Sequence, residues 1–219
     1  MKPLLLGHLG SIGRRYAAIL NHFGIDWVGH DTRMNEGDIP WGKVDSTIIA
    51  TPTATHGDLA WTSIEKGLPT LCEKPLSKSL DECMGLDQLE DTKKVPGFVV
   101  CNYKYVVRSH AQRPNIVYDY YNTGKDLVWW DVCQLVYLDP HCTIRTRSPI
   151  WTMTVNDKTV VHEDVERSYA TMVLDFLEGR WGNLWSFEDG ANMTKAVLER
   201  MEREGIDWCA GTDGLDEAS

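Results

Sequence analysis

The sequence predicts an α/β fold: a doubly wound parallel sheet with helices on both faces, followed by a reduced α+β region. Three observations predict it. Short, unbroken apolar strands alternate with amphipathic helices over residues 1–105, the pattern of a parallel sheet covered on both sides. A glycine-rich turn joins the first strand to the first helix. Beyond residue 105 the alternation gives way to longer helices and one stretch with strand-like periodicity. The expected boundaries are 1–105 for the first domain, 106–210 for the second, and 211–219 for an acidic tail that frays.

Each element can be justified in order. "PLLLGHL" is a short apolar strand. "SIGRRYAAILNHFG" is a helix, with Ile12, Tyr16, Ile19, Leu20 and Phe23 at helical spacing and Gly24 as its stop. "IDWVGHD" and "DSTIIATP" are strands, the second halted by Pro52. "HGDLAWTSIEKG" is a helix closed by Gly67, and "PTLCEKP" a strand. "SLDECMGLDQLEDTKK" is a helix capped by Ser79, with Glu82 three residues on. "GFVVCNYKYV" reads as a strand throughout. In the second half "RPNIVYDYYNTG" reads as a helix and "DLVWWDVCQLVYLD" as a buried helix. "CTIRTRSPIWTMTVND" alternates, which predicts one or two antiparallel strands. "HEDVERSYATMVLDFLEG" and "EDGANMTKAVLERMEREG" are closing helices, expected to pack back on the first half.

Composition excludes several classes of function. A formal net charge of −10 repels phosphate backbones, so nucleic-acid binding is not expected. The six cysteines form no C-x-x-C pair, so no zinc or other metal site is expected. Most sit in apolar runs and read as buried, reduced thiols. No apolar run approaches the ~20 residues that span a bilayer, and "PLLLG" is too short for a signal-peptide core. The expectation is a cytoplasmic protein without a membrane partner. Nine tryptophans are many for 219 residues; Trp129, Trp130, Trp151, Trp181 and Trp185 fall in the second half, for core filling or a subunit interface.

The opening turn carries the first chemistry. A G-x-G-x-x-G fingerprint brings backbone close to a pyrophosphate and aims a helix N-terminus at it. Here Gly10 and Gly13 hold the last two glycine positions, His8 holds the first, and Gly7 precedes it. Gly10 lets backbone approach phosphate, Gly13 lets the helix pack close, and Ser11 and Ile12 open the helix with free N–H groups. His8 tolerates an unusual backbone less well than glycine, and Gly7 can absorb part of the strain. The alternative is a bland strand–turn–helix. Eighteen residues after Gly13 comes Asp31, where the fingerprint expects an acid about 20 residues on for the ribose hydroxyls. Asp31, with Thr32 beside it, favours NAD; Arg33 could serve the extra phosphate of NADP, which ranks second. Asp31 could also be an ordinary turn acid. Thr51, Pro52, Thr53 and His56 follow a strand and could contact ribose or nicotinamide, or simply cap the next helix.

"CEKPL" is the sharpest motif. Glu73 and Lys74 stand at a strand end, where ligands of parallel sheets bind. An amine in a confined, partly dry pocket gives up its proton more readily, which suits proton transfer. A surface ion pair ahead of Pro75 is the competing reading.

Taken together, the glycine turn, Asp31, the "TP…H" loop and "EKPLS" resemble the glucose–fructose oxidoreductase, inositol dehydrogenase and rhizopine-catabolism (Gfo/Idh/MocA) family over residues 3 to 108. The resemblance implies a Rossmann domain followed by a mixed α/β domain. It implies oxidation or reduction of sugars, inositols or sugar nucleotides with NAD(P). Under it Lys74 is the catalytic or substrate-orienting lysine, Glu73 contacts the nicotinamide ribose, and Lys74–Pro75 is a cis peptide. "CNYKYV" is similar to the family's Y-N-x-R-F strand, which puts Asn102 and Lys104 near nicotinamide and substrate.

Two departures are visible. The second domain is short for the family, with few residues left for a substrate sheet. The family's G-x-H-x-x-D-like helix matches "DLVWWDVCQLVYL", which keeps Asp131 and lacks the histidine; Asp131 is the family acid or a polar residue on a buried helix. His110 and His141 could substitute. The expected function is therefore an NAD(P)-dependent dehydrogenase or reductase acting on CH–OH groups of a small sugar or polyol substrate, with a homo-oligomer as a candidate assembly. The alternatives are a nucleotide-binding sensor without turnover and an interaction protein that has lost the cofactor.

Overall fold

The computed structural model describes residues 1–31, 39–108, 116–121, 129–148 and 152–205. Side chains within a few of these elements are not described, Asp131 among them. The first strand, β1 (Pro3–Leu6), and helix α1 (Ser11–His22) are followed by β2 (Val28–His30) and β3 (Ser46–Ile49). Then come α2 (His56–Glu65), β4 (Thr70–Cys72), α3 (Leu80–Lys93) and β5 (Gly97–Val99). The second half holds α4 (Asn102–Arg108), β6 (Ile116–Tyr121), α5 (Trp129–Leu138), β7 (Thr143–Ser148), β8 (Thr152–Val155) and β9 (Lys158–Val160). It closes with α6 (His162–Leu177), β10 (Trp185–Ser186) and α7 (Phe187–Glu204).

The first sheet runs β10-β5-β4-β3-β1-β2. Its members from β1 to β5 are parallel. Every residue of β1 and β3 is buried, as expected of strands covered on both faces. Successive side chains alternate between the two faces. Leu5, Ile48, Leu71 and Phe98 meet Tyr16 and Leu20 of α1 and Tyr169, Val173 and Phe176 of α6. Leu4, Leu6, Ile49, Cys72 and Val99 meet α2, α3 and α7 through Ala60, Ile64, Leu86, Phe187 and Val197. Both closing helices thus pack on the first sheet. The cysteines Cys72, Cys83, Cys101, Cys133 and Cys142 are buried thiols, and burial pushes those of Cys72, Cys83, Cys101 and Cys142 up. Cys209 lies outside the described residues.

Three sequence expectations are corrected. The strand read over 97–106 ends at Val99, and Asn102–Arg108 is helix α4. Tyr103 and Val106, three apart, are both buried, a helical spacing that the preceding apolar run obscures. The helix read in "RPNIVYDYYNTG" is strand β6, whose β-branched and aromatic residues suit a pleated surface. β7 is not antiparallel: it pairs parallel with β6, while β8 pairs antiparallel with β6 on its other side. β8 runs on into β9 as a hairpin; Asn156 and Asp157 turn it at φ 48° and 63°, the left-handed pair that tight hairpins use. These strands make a second sheet, β7-β6-β8-β9.

Ser79 caps α3 as its sequence suggests, accepting from the Glu82 amide at 3.3 Å. The Glu82 carboxylate does not complete a reciprocal cap; it accepts from the Ser77 hydroxyl instead. Two-residue β10 extends the first sheet antiparallel to β5.

Candidate cofactor and active site

Parallel register places the predicted site residues level with one another. Leu6 pairs with His30 and with Ile49, and Ile49 with Cys72. One residue further, Gly7, Asp31, Ala50 and Glu73 form a row along the carboxyl edge of the sheet. The ladder continues through that row: the Gly7 amide donates to His30 O at 2.9 Å, Ala50 to Leu6 O at 2.9 Å, and Glu73 to Ile49 O at 2.9 Å. Chain order reverses between β1 and β3, the switch point where open α/β sheets bind ligands.

The glycine turn sits at that point. Gly7 has φ +79°, and a Cβ there would lie 2.5 Å from Ala50 O. Gly7 therefore takes the left-handed residue of the turn and the close approach to β3. His8 stays out of the left-handed region, which answers how the turn survives without glycine at that position. Its ring lies over Gly29, where an added Cβ would be 3.0 Å away, and edge-on to Trp27 at 5.9 Å. Its Nδ1 is buried with no partner among the described residues. Gly13 is more tightly bound still: a Cβ would sit 2.0 Å from Gly7 O. Gly10 is the N-cap of α1; no side chain caps it, and the first turn holds no acid. Ser11 is exposed and Ile12 half-buried. The N–H groups there face no competing carboxylate within the helix, so the turn fits the phosphates of a dinucleotide.

Asp31 is 4% exposed and accepts from the Leu9 amide at 3.1 Å. Its carboxylate is thereby fixed beside the glycine turn. Thr32, Arg33 and His110 lie outside the described residues. Thr51, Pro52 and Thr53 form a partly exposed loop that runs through a short 3-10 turn into α2. His56 is corrected. It is 1% exposed, with Nδ1 2.8 Å from Pro75 O and Nε2 2.8 Å from Thr51 O. Both ring nitrogens face backbone carbonyls, which leaves neither for a ribose.

Glu73 and Lys74 follow β4. Glu73 is 6% exposed; Oε1 accepts from the Tyr16 hydroxyl at 2.6 Å and Oε2 from the Lys74 amide at 3.1 Å. Lys74 is half-buried, and the Lys74–Pro75 peptide is cis. Burial, and then the facing Glu73 carboxylate, push the Tyr16 phenol well above its ordinary value. Tyr16 therefore keeps its proton and acts as a donor. Sequence reading gave Tyr16 only a core role; its place one helical turn past Gly13 was the available signal.

Asn102 and Lys104 point into the protein. Asn102 is fully buried, donating to Ser168 Oγ at 3.1 Å and accepting from Gln134 Nε2 at 3.3 Å. Lys104 Nζ donates to Leu184 O at 3.2 Å and lies 5.3 Å from the Trp185 ring. Both stand on α4, just after the carboxyl end of β5, rather than on a continuing strand. Asp131 lies on α5. His141 is exposed. A groove of about 570 Å³ between α1 and α6 includes Arg15, His22 and Phe23, and none of the predicted site residues line it. Among the described residues no group of three or more His, Cys, Asp and Glu is placed to hold a metal, and no helix is long and apolar enough to cross a membrane.

Residues 6–101 match the family described as "Oxidoreductase family, NAD-binding Rossmann fold" (GFO_IDH_MocA). Over those residues the chain resembles the NAD-binding Rossmann domain of the Gfo/Idh/MocA oxidoreductases. Within curated relatives, 68 residues are 38% identical to the rhizopine catabolism protein MocA of Rhizobium meliloti, over 31% of this chain and 22% of that protein. A stretch of 41 residues is 44% identical to inositol 2-dehydrogenase 1 of Saccharopolyspora erythraea, over 19% of this chain and 12% of that protein. The chain therefore matches well under two thirds of those relatives' own length. Among solved structures, UDP-N-acetylglucosamine 3-dehydrogenase GnnA from Acidithiobacillus ferrooxidans superposes with a TM-score of 0.70 at 14% identity, over 94% of this chain and 97% of that one. The WlbA (WbpB) dehydrogenase from Thermus thermophilus, in complex with NAD and UDP-GlcNAcA, gives 0.62 at 14% identity, over 91% and 95%. At such identity the likeness is one of fold. The matched family is described as an NAD-binding one, and residues 6–101 include the glycine turn and Asp31.

Proposed function

We propose that the chain is an NAD-dependent oxidoreductase acting on a hydroxyl-bearing carbon of a sugar, polyol or sugar derivative. The observation that carries the reading is the shared carboxyl edge: Lys74 follows directly on the row that holds Gly7, Asp31 and Glu73. NAD would supply hydride acceptance and return at its nicotinamide ring. Gly10, Ser11, Ile12 and Gly13 bind the phosphates, and Asp31 the ribose, with NADP second in preference. Glu73 lies on the nicotinamide side, and Lys74 holds or moves the proton of the reacting hydroxyl. Asp131 assists from α5. Residues 1–105 act as the cofactor-binding unit and 106–210 supply the substrate side.

Lys74→Ala tests the role of the lysine. Turnover on a panel of sugars and polyols is expected to fall by about a thousandfold, with NADH affinity unchanged. Retained turnover in that variant contradicts the assignment.

A second reading is favoured by one observation, the inward placement of Asn102 and Lys104 against Ser168, Gln134 and Leu184. Under it the chain binds NAD as a sensor or regulatory module. NADH binding without any cofactor turnover over the same panel supports that reading over the first.

A further inference from the structure

The segment that carries Lys74 is gripped from both faces of the first sheet. On the α1 face, the Tyr16 hydroxyl donates to Glu73 Oε1 at 2.6 Å, and Glu73 Oε2 accepts from the Lys74 amide at 3.1 Å. On the α2 face, His56 Nδ1 lies 2.8 Å from Pro75 O, immediately after Lys74. The other His56 nitrogen lies 2.8 Å from Thr51 O, in the loop after β3, and the tautomer decides which of the two carbonyls accepts the N–H. Tyr16 and His56 are 0% and 1% exposed. They come from different elements: the Tyr16 ring packs edge-on to Tyr169 of α6 at 6.0 Å, and His56 begins α2. A backbone segment fixed at the residue before and the residue after confines the root of the side chain between them.

We propose that Tyr16 and His56 are positioning residues for Lys74, clamping the Glu73–Pro75 segment from opposite faces of the sheet. The inference rests on the reading of Lys74 as the reacting amine, and it adds two residues that touch neither cofactor nor substrate.

Tyr16→Phe keeps the ring and its contact with Tyr169 and deletes the one hydrogen bond. His56→Gln is the independent second variant, and Tyr169→Phe the control from the same cluster. The readout is acylation of the Lys74 amine by a succinimidyl ester across about pH 6 to 9, followed by peptide mass spectrometry with exposed Lys66 as internal reference. Tyr16→Phe is expected to change the Lys74 rate by about threefold or more and to displace its pH profile, while Tyr169→Phe follows the wild type. NADH affinity stays within about twofold in Tyr16→Phe, and kcat on any substrate found falls about tenfold with KM little changed. Coincident Lys74 profiles in wild type and Tyr16→Phe overturn the proposal, whatever His56→Gln does. A displaced profile in a protein that turns over no substrate leaves the clamp standing and removes the dehydrogenase reading.

Discussion

A methyl group on Gly13 has nowhere to go. It would lie 2.0 Å from a backbone oxygen, Gly7 O, and backbone cannot swing aside as a side-chain tip can. Gly13→Ala is expected to cost roughly 2–3 kcal/mol of stability in denaturant titrations, and to weaken NADH binding by moving the start of α1. An unchanged unfolding midpoint would contradict the close approach. Gly7 and Gly13 show what was readable at this scale. Their positions in the turn follow from the spacing of the fingerprint, and Gly7 takes the strain that His8 cannot. The role of His56 was not readable. A histidine one turn beyond Thr51-Pro52 faces a ligand or a carbonyl equally well on paper. Only the fold brings Pro75 O to one of its nitrogens and Thr51 O to the other.

Glu90 joins three elements. From α3 it accepts backbone N–H groups of Gly97, at the start of β5, and of Phe187, at the start of α7. Burial is the main reason its carboxyl is pushed from 4.5 up to about 7, and Asp87 and Asp91 on the same helix add to it. Its Oε2 is buried without a partner among the described residues. Between these two values the folded protein holds the proton that the unfolded chain has released, so stability falls as pH rises from 4.5 to 7. Glu90→Gln removes that dependence. Its urea midpoint relative to wild type is expected to rise between about pH 5 and pH 8, and a constant difference would contradict the burial argument. Elements were legible where one periodicity dominated. α6, with Tyr169, Met172, Val173, Phe176 and Leu177 buried on one face, was plain. β6 and α4 were not, because the partners that decide them, β7 and β8 for one and α6 for the other, are distant in sequence.

At the scale of the molecule, the C-terminal part completes the first sheet as well as adding a second one. β10 pairs with β5, α6 covers the α1 face, and α7 covers the opposite face. Asp175 of α6 gathers Arg180, Asn183 and Tyr105 at 2.5, 3.0 and 2.9 Å, fastening α4 to the segment that leads into β10. Strand–helix alternation made the parallel sheet and its carboxyl edge predictable, and with them the level placing of Gly7, Asp31 and Glu73. The closing strand was not predictable, since two residues, Trp185 and Ser186, leave no periodicity to read.

The central claim is that the glycine turn and Asp31 form a working NAD site despite His8. The most direct measurement is a fluorescence titration of the purified protein with NADH and NADPH, following energy transfer from tryptophan, repeated on Asp31→Ala. The account predicts saturable binding with a preference for NADH, and about a tenfold loss of NADH affinity in the variant. Absence of binding by either cofactor, or an affinity for NADH that Asp31→Ala leaves untouched, would contradict it.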